Sequence, residues 1–390
     1  MYNEDTDGDS TEEADAPPLA GGAGGDLRSA VATGDVDAAR ALLRQPGVDV
    51  DAYDADGATL TYVAAAHGHA AVVELLVDEA GADISKATRD GAKTLLVAKP
   101  LDWGQNPPPQ EQLDAPDGGA CPLYIAARNG RVGVVRSLIA RGANVNQTKL
   151  AGQTPLLGAA AEGHADVMRI LLDHGGNVNQ TNLDNATPVF VASQFGYTEA
   201  LTLLLENGGD VNKITNIGAT PMYVAAQMGE TMVIQILLEH GGEVNRVNNH
   251  GITPVWVAAA EGKGETLKFL LENGGDLNQA IPDGTSPLFI AAYEGNTDII
   301  KILLESGAKV NAANNNGATP VYIAACRGET AALKLLLCKG GDIHQAKLNG
   351  CTPVYIASEK GETAALTVLL EKGGGVNQAT NDGCTPVYVL

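Results

Sequence analysis

Short apolar stretches separated by glycine-containing turns recur along the chain, and residues 218–250 show the pattern clearly. Residues 222–226 are small and mostly apolar, which predicts a first helix of about two turns. Gly229 is predicted to end this helix, because glycine readily takes the positive φ of a helix C-cap. Thr231 is predicted to cap a second helix whose apolar positions fall within residues 233–238. Two short helices followed by an extended turn therefore make one unit.

The unit repeats every 33 residues from position 119 to position 383. Asn185 takes the place of the turn glycine in one unit. The turn glycines are Gly119, Gly152, Gly218, Gly251, Gly284, Gly317, Gly350 and Gly383. The Thr-Pro or Ser-Pro steps that follow begin at Thr154, Thr187, Thr220, Thr253, Ser286, Thr319, Thr352 and Thr385. A constant period of this length is typical of a stacked repeat array.

Each Thr-Pro step favours a helix start, since the hydroxyl can accept from a free backbone N–H and proline at the first helical position loses no bond. Helices this short are marginal alone, so neighbouring units must stack to bury their apolar faces. The small pair Ala225-Ala226 suits close approach between successive first helices. The fold class predicted is all-α, an α-solenoid of 33-residue helix–turn–helix–hairpin repeats.

The combined pattern resembles the ankyrin repeat family over about residues 27–390. The resemblance rests on the turn glycine, Thr-Pro, the alanine pair, the paired leucines of the second helix and the Val-Asn exit, as in Val244-Asn245. The family's histidine after Thr-Pro-Leu is replaced here, so the Thr–His hydrogen bond usual in the family is unavailable and side-chain packing is expected in its place. The residues in this "aromatic slot" are Tyr124, Leu157, Phe190, Tyr223, Trp256, Phe289, Tyr322, Tyr355 and Tyr388. Gly-Gly also replaces Gly-Ala in most units, which predicts looser hairpins.

Four segments are predicted along the chain. Residues 1–26 are acidic and rich in glycine, with no lysine or arginine, and are expected to be a disordered acidic tail. Residues 27–98 are expected to hold an N-terminal cap and ankyrin-like repeats, with a unit opening at Gly57 and a damaged one at Gly91. Residues 119–390 form the regular array, which stops inside the first helix of its last repeat. That abrupt end predicts either a natural protein that continues further or an end-to-end dimer.

Residues 99–118 interrupt the register with three consecutive prolines, Pro107 to Pro109, which cannot lie inside a helix. A degenerate repeat is one interpretation. A Pro-rich partner motif around Trp103, or a hinge between two sub-arrays, is the other.

Charge and composition narrow the function classes. The net charge of −22 disfavours contact with phosphate backbones and anionic membranes, and no lysine–arginine cluster is present, so no nucleic-acid partner is predicted. No apolar run reaches the length of a membrane span, and no secretory signal is evident. Five cysteines are too few for a disulfide framework, and free thiols indicate a cytoplasmic or nuclear location.

No motif for catalysis, metal or cofactor binding emerges. Residues 262–266 (Gly-Lys-Gly-Glu-Thr) lack the spacing of a phosphate loop, and no His-Glu-x-x-His or Cys-x-x-Cys pattern occurs. The chain is therefore predicted to be non-enzymatic and to need no cofactor.

The family resemblance implies that hairpin tips and first-helix surfaces line a concave binding face. Large apolar residues in or beside these positions cluster in the middle repeats, with acidic residues around them, and such a patch usually marks an interaction surface. The alternative is that the apolar side chains fold onto their own repeat. The predicted partner-binding residues are Leu183, Asp184, Phe195, Ile217, Met228, Ile252, Glu261, Asp283, Tyr293 and Glu294. The acidic members favour a protein partner with a basic or apolar contact surface.

The resemblance suggests a second role for the asparagines of the Val-Asn steps, which are similar to positions hydroxylated in some ankyrin proteins. Hydrogen-bonding the hairpin is the simpler role. These residues are Asn146, Asn179, Asn212, Asn245, Asn311 and Asn377.

The function predicted is a protein–protein interaction scaffold. One alternative is a targeting or regulatory region of a larger enzyme whose catalytic domain lies beyond Leu390. Another is a cytoskeletal or membrane-protein adaptor with several partners along the array.

Overall fold

The computed structural model describes residues 23–89, 118–149 and 151–388, and their regular elements are helices. Within this part of the chain the predicted all-α class is confirmed. The contacts group the chain into two compact units, residues 1–162 with 166–176 (the N-terminal unit) and residues 163–165 with 177–390 (the C-terminal unit).

The N-terminal unit consists of helix pairs, and it includes the last of these helices, α8, except for its first residue. The bounds are α1 (Ala23–Thr33), α2 (Val36–Leu43), α3 (Leu60–His67), α4 (Ala70–Glu74), α5 (Pro122–Arg128), α6 (Val132–Ala140), α7 (Pro155–Glu162) and α8 (Ala165–Asp173). A π-helical turn, Leu75–Glu79, continues α4. It accommodates the one extra residue that this unit carries before Gly81, as π-turns commonly do.

Twelve α-helices and one 3₁₀ turn are described in the C-terminal unit. The bounds are α9 (Pro188–Gln194), α10 (Thr198–Glu206), α11 (Pro221–Met228), α12 (Thr231–Glu239), α13 (Pro254–Ala260), α14 (Gly264–Glu272), α15 (Pro287–Tyr293), α16 (Thr297–Glu305), α17 (Pro320–Cys326), α18 (Thr330–Cys338), α19 (Pro353–Lys360), α20 (Thr363–Glu371) and the 3₁₀ turn Pro386–Tyr388.

The first helices start as the Thr-Pro steps predict. The hydroxyl of Thr220 accepts the backbone N–H of Tyr223 at 3.1 Å, and Pro221 is the first helical residue. The same cap is made by Thr59, Thr154, Thr187, Thr253, Ser286, Thr319 and Thr352. Gly229 ends α11 at φ 90°, as predicted. Asn185 takes φ 60°, a left-handed backbone that is glycine elsewhere in the repeats, which confirms that it fills the turn position.

The predicted cap at Thr231 is wrong. Glu230 occupies the N-cap position of α12 and its side chain makes no capping bond, while Thr231 is already helical. The Thr231 hydroxyl instead hydrogen-bonds the Thr266 hydroxyl of the next repeat at 2.8 Å.

Within the C-terminal unit, first helices pack against first helices and second helices against second helices. The alanine pairs Ala225-Ala226 and Ala258-Ala259 have essentially no exposed surface, which allows this close approach. The aromatic slot follows the packing prediction in Phe289, Tyr322 and Tyr355, which are buried. Trp256 is half-buried, and its indole N–H donates to the carbonyl of Thr285 in the next repeat at 3.0 Å.

In four of the six Gly-Gly pairs that end second helices, the second glycine stands close to a valine. A Cβ on Gly341 would lie 2.5 Å from Cγ2 of Val321. Gly209, Gly275 and Gly374 stand in the same relation to Val189, Val255 and Val354. Where alanine takes this place, at Ala143 and Ala308, the repeat register puts Leu123 and Leu288 opposite. In these four pairs glycine makes room for the branched valine, whereas the register puts Leu156 and Met222 opposite Gly176 and Gly242.

The hairpin that follows the Gly57 repeat closes across an insertion. The N–H of Thr88 donates to the carbonyl of Ala120 at 3.0 Å, and the N–H of Gly119 donates to the carbonyl of Thr88 at 2.9 Å. The Gly57 repeat packs directly on the Gly119 repeat, since Asn129 and Arg131 both donate to the carbonyl of Ala66. The predicted unit at Gly91–Ala98 and the predicted segment 99–118, apart from Gly118, lie outside the described residues, as do the acidic tail to residue 22 and the last two residues.

Candidate partner-binding surface

Two sets of residues in the C-terminal unit form what is here called the tip–helix surface: the pair before each turn glycine, and the last residues of each first helix. Backbone hydrogen bonds join successive tips. Asn216 N–H donates to the Asp184 carbonyl at 2.9 Å, and Asn249 N–H donates to the Ile217 carbonyl at 3.1 Å. Asn216 also donates its side-chain amide to the Leu183 carbonyl at 2.8 Å. These bonds hold neighbouring tips in a defined register.

Proline interrupts this series of hydrogen bonds between successive tips at one position. Pro282 stands where Asn216, Asn249 and Asn315 stand in other repeats, and it has neither a backbone N–H nor a side-chain amide to donate. The series resumes beyond it, where Asn315 N–H donates to the Asp283 carbonyl at 2.8 Å.

The asparagines of the Val-Asn steps hydrogen-bond the base of each hairpin to the following repeat, which confirms the hydrogen-bonding role. Asn212 donates its amide to the Gly241 carbonyl at 3.0 Å and accepts from the Glu243 N–H at 2.9 Å. Asn179, Asn245 and Asn311 each make the equivalent two bonds to the repeat that follows. Asn146 makes the first of them in the N-terminal unit. Hydroxylation of these residues stays a prediction.

The predicted apolar residues divide into two groups. Leu183 and Ile217, at neighbouring tips, are 71% and 57% exposed. Phe195, Met228, Ile252 and Tyr293 are half-buried, so they follow in part the alternative in which side chains fold onto the repeats. The Phe195 ring lies 6.1 Å from that of Tyr197, and the guanidinium of Arg327 lies over the Tyr293 ring at 4.5 Å.

The predicted acidic residues are all exposed: Asp184, Glu261, Asp283 and Glu294. Glu261 acts on the aromatic slot. Burial, and secondarily the negative charge of Glu261, raise the pKa of the Tyr223 phenol.

Lysine side chains of the chain itself lie over two rings of the aromatic slot. The ammonium of Lys347 lies 5.4 Å from the ring centre of Tyr322 in the C-terminal unit. In the N-terminal unit, the ammonium of Lys149 lies 4.9 Å from the ring centre of Tyr124. In both cases the lysine stands three positions before the turn glycine of the following repeat. These cation–π contacts were not anticipated, because the periodic pattern does not show which tip residue faces which ring.

A groove of about 540 Å³ lies further along the C-terminal unit, beyond the predicted residues. Tip residues and first-helix residues line it together, among them Lys347, Tyr322, Tyr355, Lys360, Glu359 and Asp382. Both signs of charge are present, so the groove favours neither a basic nor an acidic ligand. The Cys326 and Cys351 thiols also line it, and burial raises the pKa of each.

All five cysteines lie in the described part of the chain and are free thiols. Within residues 23–89, 118–149 and 151–388, no group of three potential ligands converges on a metal site. The described helices are also too short and too polar to cross a membrane.

Comparison with known families decides the relationship that the helix pairs and hairpins suggest. The family model for ankyrin repeats (3 copies) matches residues 27–149, 123–215, 190–281 and 255–347. The chain belongs to the ankyrin repeat family. Among solved structures, this ankyrin repeat protein is similar to the human ASB11 ankyrin repeat domain, with 28% identity and a TM-score of 0.52. The match covers 57% of this chain and 99% of that one.

Proposed function

We propose that this ankyrin repeat protein is a non-enzymatic scaffold that takes a protein partner on the tip–helix surface between Leu183 and Glu294. Ankyrin repeats are in general protein–protein interaction modules, and the specific surface is our inference. The observation that carries it is the exposure of Leu183 and Ile217 at neighbouring tips. The bonds between Asp184 and Asn216 hold the two tips in register, so an apolar patch is offered on a rigid support.

Charge defines the kind of partner. Asp184, Glu261, Asp283 and Glu294 are exposed around the apolar residues, and the whole chain carries −22. Unlike potentials steer association and suppress wrong partners, so a partner surface with both basic and apolar residues fits best. Nucleic acid is disfavoured by the same charge.

Two other functions stay predictions without a specific observation in their favour. They are a regulatory region of a larger enzyme, and an adaptor with several independent partners. The cytoplasmic or nuclear location rests on the free thiols.

Affinity capture with paired variants tests the proposal. The double variant Leu183→Ala/Ile217→Ala removes the apolar tips and is expected to lower retention of a captured partner about tenfold, since buried apolar contacts at an interface centre carry much of the affinity. Met232→Ala/Leu370→Ala is the matched control, because both side chains are exposed apolar groups on second helices. Equal loss in both variants, or none in the tip variant, would place the binding surface elsewhere. Circular dichroism checks that both variants remain folded.

A further inference from the structure

The aromatic slot of the middle repeats combines a ring and a carboxylate without the chain's own lysine. Glu261 stands 38 positions after Tyr223, and Glu294 stands 38 positions after Trp256. The repeat register therefore makes the two pairs equivalent. Asn248 and Ile281 stand in these repeats where Lys149 and Lys347 stand elsewhere.

The two rings that lie under a lysine show that this position can bind an ammonium group. Tyr124, under Lys149, is 1% exposed, and Tyr322, under Lys347, is 6% exposed. The position equivalent to Glu261 and Glu294 is Glu162 for Tyr124, and the carboxylate of Glu162 pairs with Arg128 at 3.5 Å. An ammonium over an aromatic face is attracted by the ring quadrupole, and an adjacent carboxylate adds to this.

Tyr223 and Trp256 keep part of their surface open. Both are half-buried, whereas Phe289 and Tyr355 are buried without a lysine. Glu261 and Glu294 are exposed at the ends of α13 and α15, the first helices of the repeats that follow. The two middle repeats therefore combine accessible rings with unneutralised acids, on the surface proposed above.

We propose that the Tyr223–Glu261 and Trp256–Glu294 pairs are two binding positions for lysine or arginine side chains of the partner, which take the place that Lys149 and Lys347 fill within the chain. The proposal rests on the proposed function and specifies its partner. Adjacent helices pack about 8–10 Å apart. A partner segment in the polyproline-II conformation advances about 3.1 Å per residue with three residues per turn, so two basic side chains three positions apart lie on one side at about 9 Å.

Fluorescence of Trp256 offers a direct readout. The chain has two tryptophans, Trp103 and Trp256, so Trp103→Phe leaves Trp256 as the single reporter. The probe is a synthetic Gly/Ser peptide of about twelve residues with two lysines three positions apart. A second peptide with norleucine at both positions keeps the length and apolar stems but lacks the charge. The lysine peptide is expected to change Trp256 emission in a saturable way and to bind at least about fivefold more tightly than the norleucine peptide.

A variant that places a lysine of the chain itself over the Trp256 ring distinguishes binding at a defined site from general electrostatic attraction. Ile281→Lys places a lysine where Lys149 and Lys347 stand, and it is expected to weaken lysine-peptide binding about fivefold. Glu272→Gln changes the net charge by the same amount at an exposed position at the end of α14, and should leave binding within about twofold. Glu294→Gln tests the carboxylate at Trp256 with no added bulk.

Equal binding of both peptides, or equal loss in Ile281→Lys and Glu272→Gln, would overturn the cation positions. Either outcome leaves the proposed function standing if the Leu183/Ile217 variant still loses the captured partner. If that variant retains the partner while the lysine peptide behaves as expected, the proposed apolar contact is wrong and the cation positions stand.

Discussion

Thr88 and Ala120 lie 32 positions apart and pair as closely as Thr215 and Ala219, which lie four positions apart. In each pair the N–H of the alanine donates to the threonine hydroxyl at 3.2 Å, and the N–H of the threonine donates to the alanine carbonyl at 3.0 Å. The chain therefore leaves and re-enters the hairpin at one tip. The repeats on either side are direct neighbours.

Removing residues 90–117 should leave the fold intact. The deletion joins Arg89 to Gly118 and restores the spacing of Thr215 to Ala219. Shortening the tip from about thirty residues to two lowers the loop-closure cost by about 2 kcal/mol, so the urea midpoint should stay the same or rise. Deleting residues 221–248, of the same length inside the array, removes α11 and α12 and serves as the control. Loss of helical circular dichroism in the first deletion would mean that the segment is part of the packed array.

The contact between Gly341 and Val321 predicts a coupled pair. Gly341→Ala alone should destabilise the protein by about 1–3 kcal/mol, because the new Cβ meets Cγ2 of the valine. Val321→Leu should relieve that clash, since Ala308 faces Leu288 in a neighbouring repeat. A double-mutant cycle measured by urea unfolding gives the coupling energy. Additive effects of the two substitutions would contradict this explanation of the Gly-Gly pairs.

Asn185 is the one non-glycine residue with positive φ in the described ranges. Its side-chain amide donates to the Ile214 carbonyl at 2.7 Å. Asn185→Ala should cost about 1–3 kcal/mol, the sum of left-handed strain and a lost hydrogen bond. Asn185→Gly loses only the bond and should cost about 1 kcal/mol or less. Equal stability of the alanine and glycine variants in urea unfolding would argue against strain at this turn.

Arg141 and Asp78 link the two repeats that flank the insertion. The guanidinium hydrogen-bonds both oxygens of Asp78, with Nε–Oδ1 at 2.8 Å, and this holds the pKa of the carboxyl below its ordinary value. A depressed pKa in the folded state adds stability above the unfolded-state pKa, near 4, and the contribution is lost as pH falls through the folded value. Arg141→Gln should therefore lower the urea midpoint at pH 7 more than at pH 3.

A residual difference at pH 3 is expected, because Arg141 also donates to the carbonyl and the hydroxyl of Ser137. Arg136→Gln, at an exposed position on the same helix, is the control and should show little effect at either pH. Glu74 also lies 3.8 Å from the Arg141 guanidinium. An Arg141→Gln effect that does not change with pH would therefore mean that neither carboxylate pair adds stability.

The elements that local chemistry specifies could be read from the sequence. The hydroxyl of Thr220, the proline after it and the glycine at 229 each act within one turn of helix, so their roles follow from residue type and spacing. Asn185 belongs to the same class, since asparagine is among the few residues that tolerate a left-handed turn.

The features that could not be predicted from the sequence depend on contacts between repeats. Thr231 resembles a helix cap in sequence, but its hydroxyl finds Thr266 one repeat away. The second glycine at 341 is explained only once Val321 is seen beside it. Lys347 is one tip residue among many until its ammonium is placed over Tyr322. On the proposed surface, the exposure of the four acidic residues could be predicted from residue type and repeat position. The difference in burial between Leu183 and Ile217 on one side and Phe195 and Met228 on the other could not.

Hydrogen exchange on the protein with and without its captured partner tests the central claim most directly. The account predicts slowed exchange at the tips within residues 181–185, 214–218, 247–252 and 281–285, and at the ends of α9, α11, α13 and α15. The outer second helices of the same repeats, α12 and α14, should exchange as in the free protein. Protection confined to those second helices, or to the N-terminal unit, would contradict a partner bound on the tip–helix surface.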